Sequence, residues 1–182
     1  MSDMNVNGSD ETLESEAFEA EPEADAFAPS PYPVDLRVKG ERAVVVGGGR
    51  VATRKVTHLL AAGAKVTVVA PELDERLAAE ADDGAIDWRC KPYATGDLDG
   101  ARIVIACTDD QDVNHRVVAD AEPGQLVNNT GDPSESDFFN VAVVEHGNLI
   151  FTVSSKGIDP ALVRRVKQRL ADALPDLLAD AQ

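Results

Sequence analysis

Basic residues are missing from the first thirty positions of this chain, and aromatic residues are scarce throughout. Phe, Trp and Tyr together make up 4% of the 182 residues, so Val, Ala and Leu must build the core. Only two cysteines are present, Cys90 and Cys107. Two are too few for a disulfide framework or a cysteine zinc site, and both sit in apolar runs where buried free thiols are expected. No run approaches the roughly 18 uninterrupted apolar residues of a membrane-spanning helix. No basic region followed by an apolar run marks a signal peptide, so a cytoplasmic location is expected. No His, Cys and carboxylate spacing marks a structural metal.

What the chain has in excess is acid. Its net charge is -16, and residues 1–30 alone hold nine acids. The other 24 acids against 17 bases leave the body at -7. A segment of acids, Ala, Ser and Pro cannot bury enough apolar surface to order itself, so residues 1–30 read as a disordered, solubilising tail. An acidic body also argues against a nucleic-acid partner, because phosphate binding needs clustered Lys and Arg.

From 29-PSPYP-33 onward, strands and helices alternate. The run 43-AVVV-46 is a β-branched strand, and 50-RVATRKVTHLLAAG-63 has a helical period that Gly63 stops. Then come a strand 65–70, a helix 73–82, strands 85–90 and 101–107, a helix 111–122 and a strand 125–128. Asp109 or Asp110 can cap the helix at 111, with Asp109 preferred. This order implies βαβ units in a parallel, doubly wound, Rossmann-type sheet. The pattern then changes. Residues 139–155 read as a hairpin turning at 145-EHGN-148. Asp159 and Pro160 start an amphipathic helix over 160–174, which Pro175 punctuates. The expected division is a tail 1–30, a nucleotide domain 31–138 and a hairpin-plus-helix region 139–182. That last region is too small to stand alone, and an exposed hairpin edge is normally covered, so a homodimer is expected.

The first strand runs into 47-GGGRVA-52, a G-x-G-x-x-A dinucleotide fingerprint. Gly47 permits the tight turn, Gly49 lets backbone approach a pyrophosphate, and Ala52 lets helix and sheet pack closely. Gly48, Arg50 and Val51 complete the turn, whose helix N-terminus offers free N–H groups and positive dipole. The second strand ends at Pro71 and Glu72, and Glu72 lies where an acid should meet ribose hydroxyls. No base lies at 71–75 to welcome a 2′-phosphate, although Arg76 is near, so NAD is expected over NADP. Thr108, at the end of the fourth strand, can donate to the cofactor.

Taken together, 44-VVVGGGRVATRK-55, 103-IVIACTDDQDVN-114, 127-VNNTGDP-133 and 151-FTVSSKGIDPALVRRVK-167 resemble the precorrin-2 dehydrogenase family, the N-terminal module of siroheme synthases. The resemblance implies NAD-dependent oxidation of precorrin-2 to sirohydrochlorin by a homodimer. Some family members also insert iron, and a non-catalytic NAD- or tetrapyrrole-binding module is a further alternative. The substrate would carry eight carboxylates. Asn128, Ser154, Ser155, Lys156 and Arg164 are the implied substrate contacts, within a basic cluster that includes Arg165, Lys167 and Arg169. Family members read N-V-V-D-x-P where this chain has 128-NNTGDP-133, which places their Asp at Gly131. Asp132 is therefore the candidate catalytic base, acting if burial raises its pKa, with Asp137 as the runner-up. His115 and His146 read as structural or exposed. Longer members carry a further helical segment, so part of the substrate cavity is expected to be absent or to be supplied by another protein.

Overall fold

The computed structural model describes residues 31–156 and 158–179. The expected tail, residues 1–30, lies outside them. The body begins with β1 (Arg42–Val46), α1 (Arg50–Ala61), β2 (Lys65–Val69), α2 (Glu75–Asp82) and β3 (Asp87–Arg89). It continues through β4 (Ile103–Ala106), α3 (Gln111–Ala119) and β5 (Leu126–Asn129). A 3-10 turn (Pro133–Glu135) leads to β6 (Ala142–His146), β7 (Leu149–Val153) and α4 (Pro160–Ala179).

The first five strands form one sheet in the order β3-β2-β1-β4-β5, with every pair parallel. Apolar strands buried on both faces suit the middle of such a sheet, because helices cover each side. Side chains alternate along each strand, so β1 feeds two cores. Ala43 and Val45 join α1 residues Ala52, Val56 and Leu59 and α2 residue Leu77 on one face. Val44 and Val46 join Val104, Val127 and α3 residue Val117 on the other. Strand order reverses between β1 and β4. In doubly wound sheets ligands lie at that switch point, outside the carboxyl ends of the strands.

Helix ends follow local rules with some corrections. Gly63 adopts φ +79 just beyond α1, as a stop residue should. Asp159 caps α4 by accepting from Ala161 N (2.9 Å) and Leu162 N (2.8 Å). At α3 the cap is Asp110, not the preferred Asp109. Asp110 accepts from Asp112 N (3.0 Å) and Val113 N (3.3 Å). Adjacent aspartates have the same capping propensity, and the extended backbone at 110 decides between them. α4 also continues past Pro175 to Ala179. Pro175 sits on the exposed side, where water can satisfy the carbonyl that its ring leaves without a donor. Cys107 is buried but Cys90 is exposed, against expectation, because β3 is an edge strand and ends one residue earlier.

β6 and β7 pair antiparallel as the expected hairpin, and α4 packs on both strands. Val144 and Leu174 are buried in this region, yet Val141, Val143, Leu149, Ile150, Leu162 and Val166 stay exposed. No helix among the described residues is long and apolar enough to cross a membrane.

Candidate functional site

The three glycines after β1 are required for three different reasons. Gly47 has φ +126, and a Cβ there would lie 2.7 Å from the Cys107 carbonyl oxygen. A Cβ on Gly48 would overlap the Glu72 carbonyl oxygen. Gly48 also accepts from Asp74 N (2.7 Å), so the turn is laced to the start of α2. Asp74 adds hydrogen bonds from Leu77 N (2.9 Å) and the Thr53 hydroxyl. Gly49 has open space beside it and caps α1 without any side chain. Nothing among the described residues accepts from the N–H groups of Arg50, Val51 or Ala52, as is usual for a helix first turn.

These groups border a cleft of about 580 Å³ at the carboxyl edge of the sheet. Gly47, Gly48, Gly49, Arg50 and Val51 form one wall, and Pro71 and Glu72 another. Tyr93 and the run Cys107–Asp110 line the rest. Ala52 is the exception among the sequence-selected cofactor residues. It is fully buried behind the turn, where its small size lets α1 meet the sheet. The cleft suits a dinucleotide: backbone without Cβ atoms, free N–H groups for phosphates, and an exposed carboxylate at Glu72 for ribose hydroxyls.

Thr108 is held by a residue the sequence does not single out. Asn114, wholly buried, accepts from Thr108 N (3.0 Å) and donates to Thr108 O (3.0 Å). The single Thr108 hydroxyl proton points to Asp110 O or Asn114 Oδ1, each at 2.8 Å. The Thr108 hydroxyl thus has two internal acceptors at the edge of the cleft. Tyr93 is likewise anchored, donating to Asp120 at 2.8 Å.

The loop after β5 is folded tightly onto that strand. Asn129, 1% exposed, accepts from Gly131 N (2.9 Å) and Asp132 N (3.3 Å) and donates to Glu135 (2.8 Å). Asp137 accepts from Val127 N (2.9 Å) and thereby serves as a brace. Glu135 also pairs with His115 at 2.8 Å, and that bond raises the His115 pKa. A Cβ on Gly131 would collide with the Gln111 amide, so Gln111 fills the space beside this position.

Two candidates behave differently from expectation. Asn128 turns inward. It is 5% exposed, accepts from Lys55 Nζ (2.8 Å) and donates to Phe138 O (3.0 Å), so its amide is engaged within the protein. Asp132 does not have a carboxyl pKa raised by burial. Hydrogen bonds from the Ser134 hydroxyl (2.6 Å) and N–H (2.9 Å) stabilise its charged form and lower its pKa. Ser154 accepts from Lys156 N (3.1 Å) and Ser155 from Asp159 N (2.9 Å), shaping the turn before α4. Lys156 takes φ +55 there, and Lys156 and Arg164 are exposed. Neither they nor the two serines line the cleft. Lys55 is buried although the sequence reading passes over it. The signal is its place on the core-facing stripe of α1, beside Ala52, Val56 and Leu59.

Residues 34–142 match the family described as "Putative NAD(P)-binding". The solved structure of SirC, precorrin-2 dehydrogenase, superposes with TM-score 0.72 at 32% identity, over 78% of this chain and 70% of that one. The chain belongs to the precorrin-2 dehydrogenase family. Within the family, siroheme synthase of Chromobacterium violaceum is 42% identical over 145 residues, and that of Pseudomonas entomophila 41% over 144. Each alignment takes in 79% of this chain and 31% of the synthase, so the chain spans less than a third of either relative's length.

Proposed function

We propose that the protein oxidises precorrin-2 to sirohydrochlorin with NAD. The observation that carries this reading is the glycine-walled cleft at the carboxyl edge of the sheet, in a fold similar to a precorrin-2 dehydrogenase. When bound, NAD would supply the hydride acceptor for a ring carbon of the substrate, and a proton would also leave the macrocycle, so that NADH and one proton would balance each oxidation. The glycine turn and the first turn of α1 would hold the pyrophosphate, and Glu72 would hold the adenosine ribose. Among the loop carboxylates, Glu135 is committed to His115 and Asn129, and Asp137 to Val127. The Asp132 carboxylate is bonded only to Ser134, within its own turn. We assign the proton to Asp132, whose ionised carboxylate is ready to accept it. Lys156 in the turn before α4, together with Arg164 and the other cations of α4, attracts the polycarboxylate substrate. The free thiols Cys90 and Cys107 accord with a cytoplasmic setting.

Purified protein mixed with precorrin-2 and NAD should yield sirohydrochlorin and NADH, followed by absorbance. Retained NAD binding without turnover would overturn the assignment. NAD should also bind at least about tenfold more tightly than NADP, because the Glu72 carboxylate would oppose a 2′-phosphate at close range. Equal affinities in a titration would remove Glu72 from that role.

The functional unit in this reading is a homodimer. The apolar side chains left exposed on β6, β7 and α4 give a self-complementary patch something to bury. Val143→Glu combined with Leu162→Glu should convert the dimer to a folded monomer in analytical ultracentrifugation. An unchanged sedimentation coefficient would place the interface elsewhere.

A further inference from the structure

Lys55 is a cation buried where no anion meets it. It is 6% exposed, on the face of α1 that packs against the sheet. Its ammonium donates to Asn128 Oδ1 at 2.8 Å and to Asn140 Oδ1. Both acceptors are neutral, and no carboxylate among the described residues pairs with it. Burying an ammonium against neutral oxygens is unfavourable, so a purely structural role would be better served by an uncharged side chain.

Position gives the arrangement its meaning. Asn128 lies on β5 at the start of the loop, and Asn140 lies just past its end. Asn128 also donates to Phe138 O (3.0 Å), which draws the returning chain to the same point. One ammonium thus fastens both feet of segment 128–140. It does so from the helix whose first turn borders the cofactor cleft.

We propose that Lys55 is a positioning residue for the oxidation: its ammonium sets segment 128–140, and with it the carboxylate of Asp132, against the bound cofactor. This rests on the functional reading above. Lys55 touches neither cleft nor substrate and acts only through the two asparagines. The groups facing it are Arg54 on its own helix, Cys107 at the end of β4, Asn128 on β5 and Asn140. Burial, then Arg54, lowers the Lys55 pKa from 10.5 to about 8. Burial raises the Cys107 thiol to about 12, so the thiol stays neutral across that range.

Two opposite pH trends follow. The charged amine is the form that fastens both oxygens most strongly, so kcat should fall as pH rises through about 8. Stability should change the other way. The folded state favours the neutral amine, so the stabilising contribution is complete above 10.5 and is lost as pH falls through about 8. Thermal melts should therefore show a component of stability that rises between these values, and Lys55→Met should abolish it.

The test uses the full chain with NAD bound. Lys55→Met should lower kcat by about tenfold to a hundredfold while changing the NAD dissociation constant less than about threefold, within the range that groups orienting a reaction supply. Amide exchange across 129–137 should accelerate in the same variant, a readout that needs no turnover. Asn140→Asp keeps the clamp and adds a counter-ion. It should move the basic limb of the kcat profile to higher pH, which a merely structural contact would not do. Asn140 is exposed, so this variant also guards against misfolding of Lys55→Met. Unchanged exchange in Lys55→Met, or an unmoved limb in Asn140→Asp, would overturn the proposal. Wild-type protein that binds NAD and never turns over would sink the functional reading instead, and the exchange result would still judge the clamp.

Discussion

Gly49→Val should weaken NAD binding by at least about a hundredfold, some 3 kcal/mol, with the melting temperature almost unchanged. The side chain would enter open space, since nothing lies within 4 Å of the added Cβ. The backbone at Gly49 (φ -90, ψ -169) is extended and suits valine, so folding meets no strain there. In the proposed binding mode a pyrophosphate approaches the first turn of α1 through that open space, and valine would occupy it. Gly48→Ala is the contrasting variant. Its methyl would overlap the Glu72 carbonyl, and the Asp74 bond to Gly48 O would have to shift with it. Affinity and stability should then fall together, by about 1–3 kcal/mol in stability, the usual size of an overpacking defect. Calorimetric titration and thermal melts separate the two. Native NAD affinity in Gly49→Val would mean that the pyrophosphate lies elsewhere.

Asp132→Ala should cut kcat by about a hundredfold, the lower range for general base catalysis, and leave NAD affinity intact. The lower range is the appropriate one because Ser134 holds the Asp132 pKa down and makes the carboxylate a weaker base. The same bond keeps it ionised, so Asp132 should contribute no acid limb to the kcat profile near neutral pH. Ser134→Ala removes a hydroxyl donor 2.6 Å from the carboxylate and lets its pKa rise. An acid limb should then move towards neutrality in Ser134→Ala and be absent from Asp132→Asn. Full turnover in Asp132→Ala would take this residue out of the mechanism. The proton would then pass to another group bordering the loop, with Gln111 beside Gly131 able to offer only an amide.

The nucleotide half was legible in the sequence because its requirements are local. A tight turn needs Gly47, an uncapped helix start needs its free N–H groups, and a close helix needs Ala52. Each demand is met by the residue itself, whatever the rest of the chain does. Strand and helix periods were readable for the same reason, and so was the Asp159 cap beside Pro160. Asp110 was harder to distinguish from Asp109, because the two differ only in backbone angles that the neighbouring strand and helix impose. Cys90 and Cys107 both sit among apolar residues, and only their places in the sheet separate an exposed edge from a buried centre.

By itself, then, the amino-acid sequence determined a parallel sheet with a dinucleotide turn at its switch point, followed by a hairpin and a capped helix. Tertiary structure alone decided what the polar residues around that turn do. Asn128 became a brace, Asn129 and Asn114 became clamps, and Asp132 acquired a serine partner. Lys55 was joined to Asn140 across 85 residues of chain. The reason is physical: steric and periodic constraints act over a few neighbouring residues. The partner of a buried hydrogen-bonding group, and with it the group's charge, is chosen only when distant segments meet.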